Sequence, residues 1–253
     1  MFTVTEAQIL GWLTPVLWPF LRVLALLSAM PLLGSRMVPM RVRVGLAFAI
    51  ALAAQAGLAP APLLPLDAPM VWQLVLQQVL IGIAVGFSVR LVFAAIELAG
   101  EIIGLQMGLN FAAFFDPVSA SQSTAVTRLY TNMANFLFVT INGHVLVIAA
   151  VIHSFDAFPV SAQPFAFLAQ VRPELWGAEL FRLGLWSALP IVGLLLFINL
   201  VMGIITRVAP QMNLFSIGFP LTVTLGLVAL TFSLPGMQQP FVFAMEKMLG
   251  VWR

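Results

Sequence analysis

The sequence predicts an all-α, integral membrane-type protein of kinked helical hairpins, and three observations carry that expectation. Of 253 residues, 62% are hydrophobic and only 8% charged, with a mean hydropathy of +1.08, where soluble domains carry roughly a quarter charged residues. Six apolar runs, separated by charged or proline-rich turns, follow one another along the chain. Prolines and glycines fall inside those runs, and an internal proline removes a helical hydrogen bond and bends the helix. A single domain spanning 1–253 is the simplest organisation.

Charge and cysteine usage exclude several functions. The net charge of +2 rests on ten Arg and one Lys scattered along the chain, too sparse for a nucleic-acid footprint. With no cysteine, thiolate metal sites, disulfides and thiol nucleophiles are ruled out. The N-terminus carries Glu6 and no basic residue before its first apolar run, unlike a cleavable signal peptide. Insertion is expected to rely on that run itself.

Ile9 to Leu33 is the first run, long enough to cross a core of roughly 30 Å. Pro15 and Pro19 imply a bent entry, and Arg22 faces either protein, water or, by snorkelling, the interface. Arg36, Arg41 and Arg43 then cluster in one turn, which the positive-inside rule makes cytoplasmic, with the N-terminus outside. The second run, Val44 to Leu58, is short for a span and aligns Gly45, Ala49 and Ala53 as a face for close helix packing. A proline-rich linker, Ala59 to Pro69, follows.

The third run, Met70 to Ala95, holds Gly82 and Gly86, a small-xxx-small pair. Arg90, Glu97 and Glu101 lie seven and four residues apart and so share one helical stripe. Two carboxylates at i,i+4 repel each other, which fits a hydrated surface, an external partner or a solvated helix end. From Glu97 to Thr124 the chain passes through Gly100, Gly104 and Gly108 into a Phe-rich stretch ending at Asp116-Pro117. Carboxylates and irregular backbone are tolerated at membrane depth only where protein or water surrounds them, so this segment should line or close a path through a protein assembly.

The fourth run, Ala125 to Ile152, carries Arg128, Asn132, Asn135 and Asn142 on one face, expected to hydrogen-bond to neighbouring helices. Asn142-Gly143-His144 lies within it, and HSFDAFP leads out into a loop with Asp156, Arg172, Glu174 and Glu179. The fifth run, Leu180 to Ile205, and the sixth, Leu214 to Leu234, contain Pro190 and Pro220, each expected to leave a backbone bond for a partner to fill. Basic residues place the turns after odd-numbered runs inside, yet six spans would put Lys247 and Arg253 outside. Either the rule fails at the tail or one run does not cross.

No GxxxxGK[ST] loop, HExxH helix or EF-hand loop is present, so no catalytic residue, cofactor or metal is expected. His144 and His153 read as structural or interfacial histidines. A Ser88 and His144 pair could be imagined as an intramembrane hydrolase, in a weak context. Arg90, Glu97 and Glu101 could alternatively form the ion or substrate site of a secondary transporter.

The runs GLQMGLNFAAFFDP (104–117), NGH (142–144), RVAPQMNLFSIGFP (207–220) and WPFLRVLALLSAMPLLGSRMVPMRVRVGL (18–46) resemble, in that family's order, the FliR family of flagellar export proteins, whose injectisome counterparts are SctT. The resemblance covers nearly the whole chain. It implies a non-enzymatic subunit of a type III secretion export gate at the bacterial inner membrane, in the flagellar basal body. One copy would stand among several FliP and FliQ homologues in a helical ring, largely above the membrane, forming and sealing the channel for unfolded flagellar proteins. It further implies a fused architecture, FliP-like over about 1–180 and FliQ-like over about 180–253.

The family's plug loop maps onto 106–124, including Gln106, Met107, Phe111, Phe114, Phe115, Asp116 and Pro117. An apolar constriction of this kind excludes water and ions by dewetting; on residue type alone the phenylalanines could equally pack a core or face lipid. Arg90, Glu97, Glu101, Asn132, Asn135, Asn142 and His144 are the expected intersubunit polar residues. The turn with Arg207, Pro210, Gln211 and Asn213 resembles a FliQ-like hairpin tip and should face the cytoplasmic export apparatus, FlhB first and FlhA as a further contact.

Overall fold

The computed structural model describes residues 6–58, 70–109, 124–161, 163–209 and 217–252. Among them the regular structure is helical: α1 (Glu6–Ala29), α2 (Met40–Ala54), α3 (Met70–Gln106), α4 (Ala125–Thr140), α5 (Gly143–Ala157), the single turn α6 (Leu168–Val171), α7 (Trp176–Val208), α8 (Phe219–Ser233) and α9 (Gln238–Gly250). Short 3-10 turns, Pro173–Leu175 and Leu234–Met237, precede α7 and α9. Among the described residues, four stretches are long and apolar enough to cross a membrane: Gly11–Ala29, Met70–Gln106, Leu168–Val208 and Phe219–Gly250. The bent pair α4 and α5 makes a fifth if it counts as one span.

The chain divides into two compact units. The first comprises Met1–Leu91, Asn142–Trp176 and Met245–Arg253; the second comprises Val92–Ile141 and Gly177–Ala244.

In the first unit α1 packs on α3 at glycines. A Cβ at Gly82 would fall on Arg22 O and lie 2.8 Å from Ala25 Cβ, and one at Gly86 would lie 2.7 Å from Ala29 Cβ. This is the close approach that the small-xxx-small pair predicts. It brings Arg22 against α3. The Arg22 side chain is fully buried and meets no carboxylate among the described residues. Instead its Nε donates to Gln78 Oε1 at 2.8 Å, Nη1 to Ser154 Oγ at 2.9 Å and Nη2 to Phe158 O at 2.9 Å. The guanidinium also stands 3.6 Å from the Phe155 ring centroid, so cation–π attraction adds to the hydrogen bonds. Gln78 is held in turn by Gln77, which binds the Pro159 carbonyl and both the backbone N–H and hydroxyl of Ser161. Of the readings open for Arg22, the structure therefore selects the protein-facing one.

The same unit ends in an aromatic cluster. Trp252 is fully buried with its ring centroid 5.9 Å from Phe158, 6.4 Å from Phe167 and 6.3 Å from Trp176. Its indole Nε1 donates to Ser88 Oγ at 3.3 Å, which satisfies the polar end of a buried tryptophan.

Three expectations need correction. Gly45, Ala49 and Ala53 are exposed, and α2 buries Ala47, Ala51 and Ala54 instead; on an almost wholly apolar helix, period alone does not say which face is covered. Ala125 to Ile152 is not one helix. It breaks at Asn142, whose φ of 55° and ψ of 38° are left-handed, into α4 and α5. Asn142 therefore does not continue the stripe of Asn132 and Asn135. Pro220 lies in the first turn of α8, where its missing N–H leaves no intrahelical bond unmade. Pro15 and Pro19 both lie inside α1.

Ser154→Ala, which leaves one guanidinium donor of a buried charge without its acceptor, is expected to cost about 1–3 kcal/mol. Arg22→Met, close in volume but stranding three acceptors, is expected to cost more than Ser154→Ala. Thermal unfolding in detergent measures both; two silent substitutions would show that the network contributes no stability.

Candidate functional site

The site begins where α3 stops. α3 is a single 37-residue helix that carries both carboxylates of the stripe. Glu97 is exposed and Glu101 half-buried. Glu101 Oε2 accepts from the Thr127 hydroxyl at 3.2 Å, the Thr127 and Thr124 hydroxyl oxygens stand 2.8 Å apart, and Thr127 N donates to Thr124 Oγ1 at 3.1 Å. Thr124 is thus the N-cap of α4, satisfying a backbone donor of its first turn, while its own hydroxyl joins a chain ending on a carboxylate.

Two glycines allow that approach. A Cβ at Gly100 would lie 2.9 Å from Thr127 Cα, and one at Gly104 would lie 2.6 Å from Thr124 Oγ1. Met107 then turns off the end of α3 fully buried. A Cβ at Gly226 of α8 would lie 2.7 Å from Met107 Cγ, and the Thr222 hydroxyl stands 3.4 Å from Met107 O. Gly108 follows with φ 80°, a left-handed residue ending a helix in the usual way.

Of the predicted plug residues, Gln106 is half-buried and Met107 buried. Phe111, Phe114, Phe115, Asp116 and Pro117 lie outside the described residues, as do Pro210, Gln211 and Asn213 of the hairpin turn. Arg207 is exposed near the end of α7.

The expected intersubunit residues remain largely uncovered by this chain. Arg90, Glu97, Asn132, Asn142 and His144 are exposed, and Asn135 and Glu101 are half-buried. Among the described residues no group of three or more His, Cys, Asp or Glu could hold a metal. Ser88 is buried between Val85 O and the Trp252 indole, and His144 is exposed, so the two form no nucleophile–base pair.

Sequence reasoning passed over Gln77, Gln78, Ser154, Thr124, Thr127 and Gly226. A signal existed for some of them: adjacent glutamines in an apolar helix need partners, and Thr124 just ahead of an apolar run is a capping signature. Gly226 carried none, since its role depends on Met107, remote in sequence.

Asn142→Gly is expected to leave stability unchanged or raise it slightly. Asn142→Val, which forces a β-branched residue into left-handed backbone, is expected to cost about 1–2 kcal/mol. The difference between the two melting temperatures checks the break; equal values would place it elsewhere.

Residues 13–248 match the family described as bacterial export proteins, family 1. The flagellar biosynthetic protein FliR of Escherichia coli (strain K12) is 44% identical over 238 residues, covering 93% of this chain and 90% of the relative. That of Pectobacterium carotovorum subsp. carotovorum is 42% identical over 93% and 90%, and that of Aquifex aeolicus (strain VF5) 32% identical over 88% and 86%. The chain therefore belongs to the FliR family of bacterial flagellar export proteins.

Proposed function

We propose that this chain is a non-enzymatic subunit of the flagellar export gate, located in the inner membrane at the basal body. It forms and seals, with FliP and FliQ homologues, the channel through which unfolded flagellar proteins leave. Residues 1–180 and 180–253 are its FliP-like and FliQ-like parts. The observation that carries this reading is the set of polar side chains left open on helices otherwise fit for hydrocarbon. Arg90, Glu97 and Asn132 are exposed on α3 and α4, and a charge facing lipid costs upwards of about 2.5 kcal/mol at the centre of a span. Their coverage by sister subunits removes that cost. The apolar surface points the same way: the most hydropathic window of Met70–Gln106 is 61% buried, but those of Leu168–Val208 and Phe219–Gly250 are 28% and 17% buried.

In this reading the segment 106–124 is the plug, with Phe111, Phe114 and Phe115 supplying a dewetting constriction. The turn around Arg207, with Pro210, Gln211 and Asn213, faces FlhB and FlhA. Replacing Phe114 and Phe115 together with Gly is expected to raise ion leakage through the assembled complex while FliP and FliQ homologues still co-purify. An unaltered leak in an intact complex would sink the plug.

A further inference from the structure

In the first unit α3 carries Gly82, Gly86 and Arg90 four residues apart, along one row of the helix. α1 fills the groove over the two glycines: a Cβ at Gly86 would lie 2.7 Å from Ala29 Cβ and 2.9 Å from Leu26 O. α1 ends at Ala29, and the groove runs on past that end into a notch of about 220 Å³ lined by Ser28, Ala29, Gly34, Ser35 and Arg90 among others. The turn after α1 makes a firm wall. Leu32 is left-handed at φ 63°, Gly34 N donates to Met30 O at 3.0 Å, and a Cβ at Gly34 would fall on Met30 O and lie 2.7 Å from Ser28 O. Both hydroxyls of that wall are already engaged, Ser28 Oγ donating to Leu24 O at 2.8 Å and Ser35 Oγ to Leu32 O at 2.7 Å. Arg90 is different. It is exposed and has no hydrogen-bond or ion-pair partner among the described residues. The C-terminal end of α1 favours a cation beside it, but that attraction uses none of the five guanidinium donors.

The notch therefore offers one planar cationic fork and no other spare side-chain donor. Two oxygens side by side match that fork, whereas a phosphate, with three or more acceptor oxygens, calls for further donors. Its volume is also below the roughly 300–1,000 Å³ of small-molecule pockets and suits one inserted side chain. We propose that Arg90 receives the carboxylate of an Asp or Glu side chain from a neighbouring subunit, which enters the notch beyond the end of α1. This deepens the export-gate reading and rests on it: that reading has Arg90 covered by a sister subunit, and the notch defines the chemistry of the covering group. A charge pair of this kind fixes the register of the neighbour against α3.

Arg90→Glu sets a like charge against the incoming carboxylate, Arg90→Gln removes the fork, and Arg90→Lys keeps the charge. In cells producing the whole export complex, Arg90→Glu is expected to lower the FliP and FliQ homologues co-purified with this chain about tenfold or more, Arg90→Gln by less and Arg90→Lys least. Unchanged co-purification with Arg90→Glu overturns the proposal. The isolated full chain of each variant is expected to melt in detergent close to the wild type, because Arg90 is unbonded within it; a drop of about 5 °C or more would make its role internal to the fold and overturn the proposal. Second-site mutations that restore swimming to Arg90→Glu are expected to include an Asp or Glu changed to Lys or Arg in a neighbouring subunit. Restoration only by changes within this chain overturns it. So does a phospholipid that native mass spectrometry finds on the wild-type complex and loses with Arg90→Gln while subunit yields stay equal, since a headgroup would then fill the notch. The two readings fail separately. A wild-type chain that brings down neither homologue rejects the export gate and the contact with it, while equal yields from wild type and all three variants reject the carboxylate contact alone.

Discussion

A polar group on a helix that otherwise matches hydrocarbon must find protein or water, and much of this structure follows from how each such group does so. Some are matched within the chain. Arg22 is buried with three uncharged acceptors and an aromatic face in place of a carboxylate. A neutral cage leaves the net charge in place but satisfies its donors, which is the part of the burial cost that geometry can remove. Glu101 accepts from a threonine that is itself almost wholly buried. Others, Arg90, Glu97 and Asn132 among them, lie open on the surface of this single chain. Under the proposed function these are the groups that sister subunits cover.

The means of internal matching is the missing Cβ. At Gly82 and Gly86 α1 comes close enough to α3 for Arg22 to reach Gln78, and at Gly100 and Gly104 α4 comes close enough for Thr127 to reach Glu101. Between apolar helices in lipid there is little hydrophobic drive to associate, so close backbone contact and the polar bonds it permits carry more of the packing. The glycine spacing and the buried polar partners are therefore one device.

This explains what could be read in the sequence and what could not. The helical, membrane-type class follows from composition, and the Gly82–Gly86 contact from a pair four residues apart on one face. Where the same reasoning met Gly45, Ala49 and Ala53 it chose an exposed face, because α2 is apolar all round and nothing local distinguishes its sides. Asn142 looked like another member of an amide stripe at helical spacing. Its left-handed backbone is compatible with Asn for reasons of local hydrogen bonding, and no period reveals that. Arg22 could be narrowed to protein, water or interface, but its acceptors Ser154 and Phe158 lie more than 130 residues away. The socket that Gly226 makes for Met107 is equally remote in sequence.

The parity of the basic residues turns on α2. Its 15 residues reach about 22 Å at the rise of an α-helix, well short of a hydrocarbon core of roughly 30 Å. Arg43 folds back at its start, donating to the carbonyls of Ser35 and Val38, so its N-terminal end is tied to the preceding turn and gains no length there. If α2 does not cross, the count of spans changes by one and the tail carrying Lys247 falls on the same side as the cluster at Arg36, where basic residues are expected, but the turn at Arg207 then falls on the opposite side, so the rule is met at the tail only at that turn's expense. The alternative is that α2 sits within an assembly whose other chains thin or replace the bilayer around it. Both outcomes leave its exposed Met40, Val42, Leu46, Phe48 and Leu52 in need of an apolar surface that the described residues do not supply, and so lead back to the same constraint.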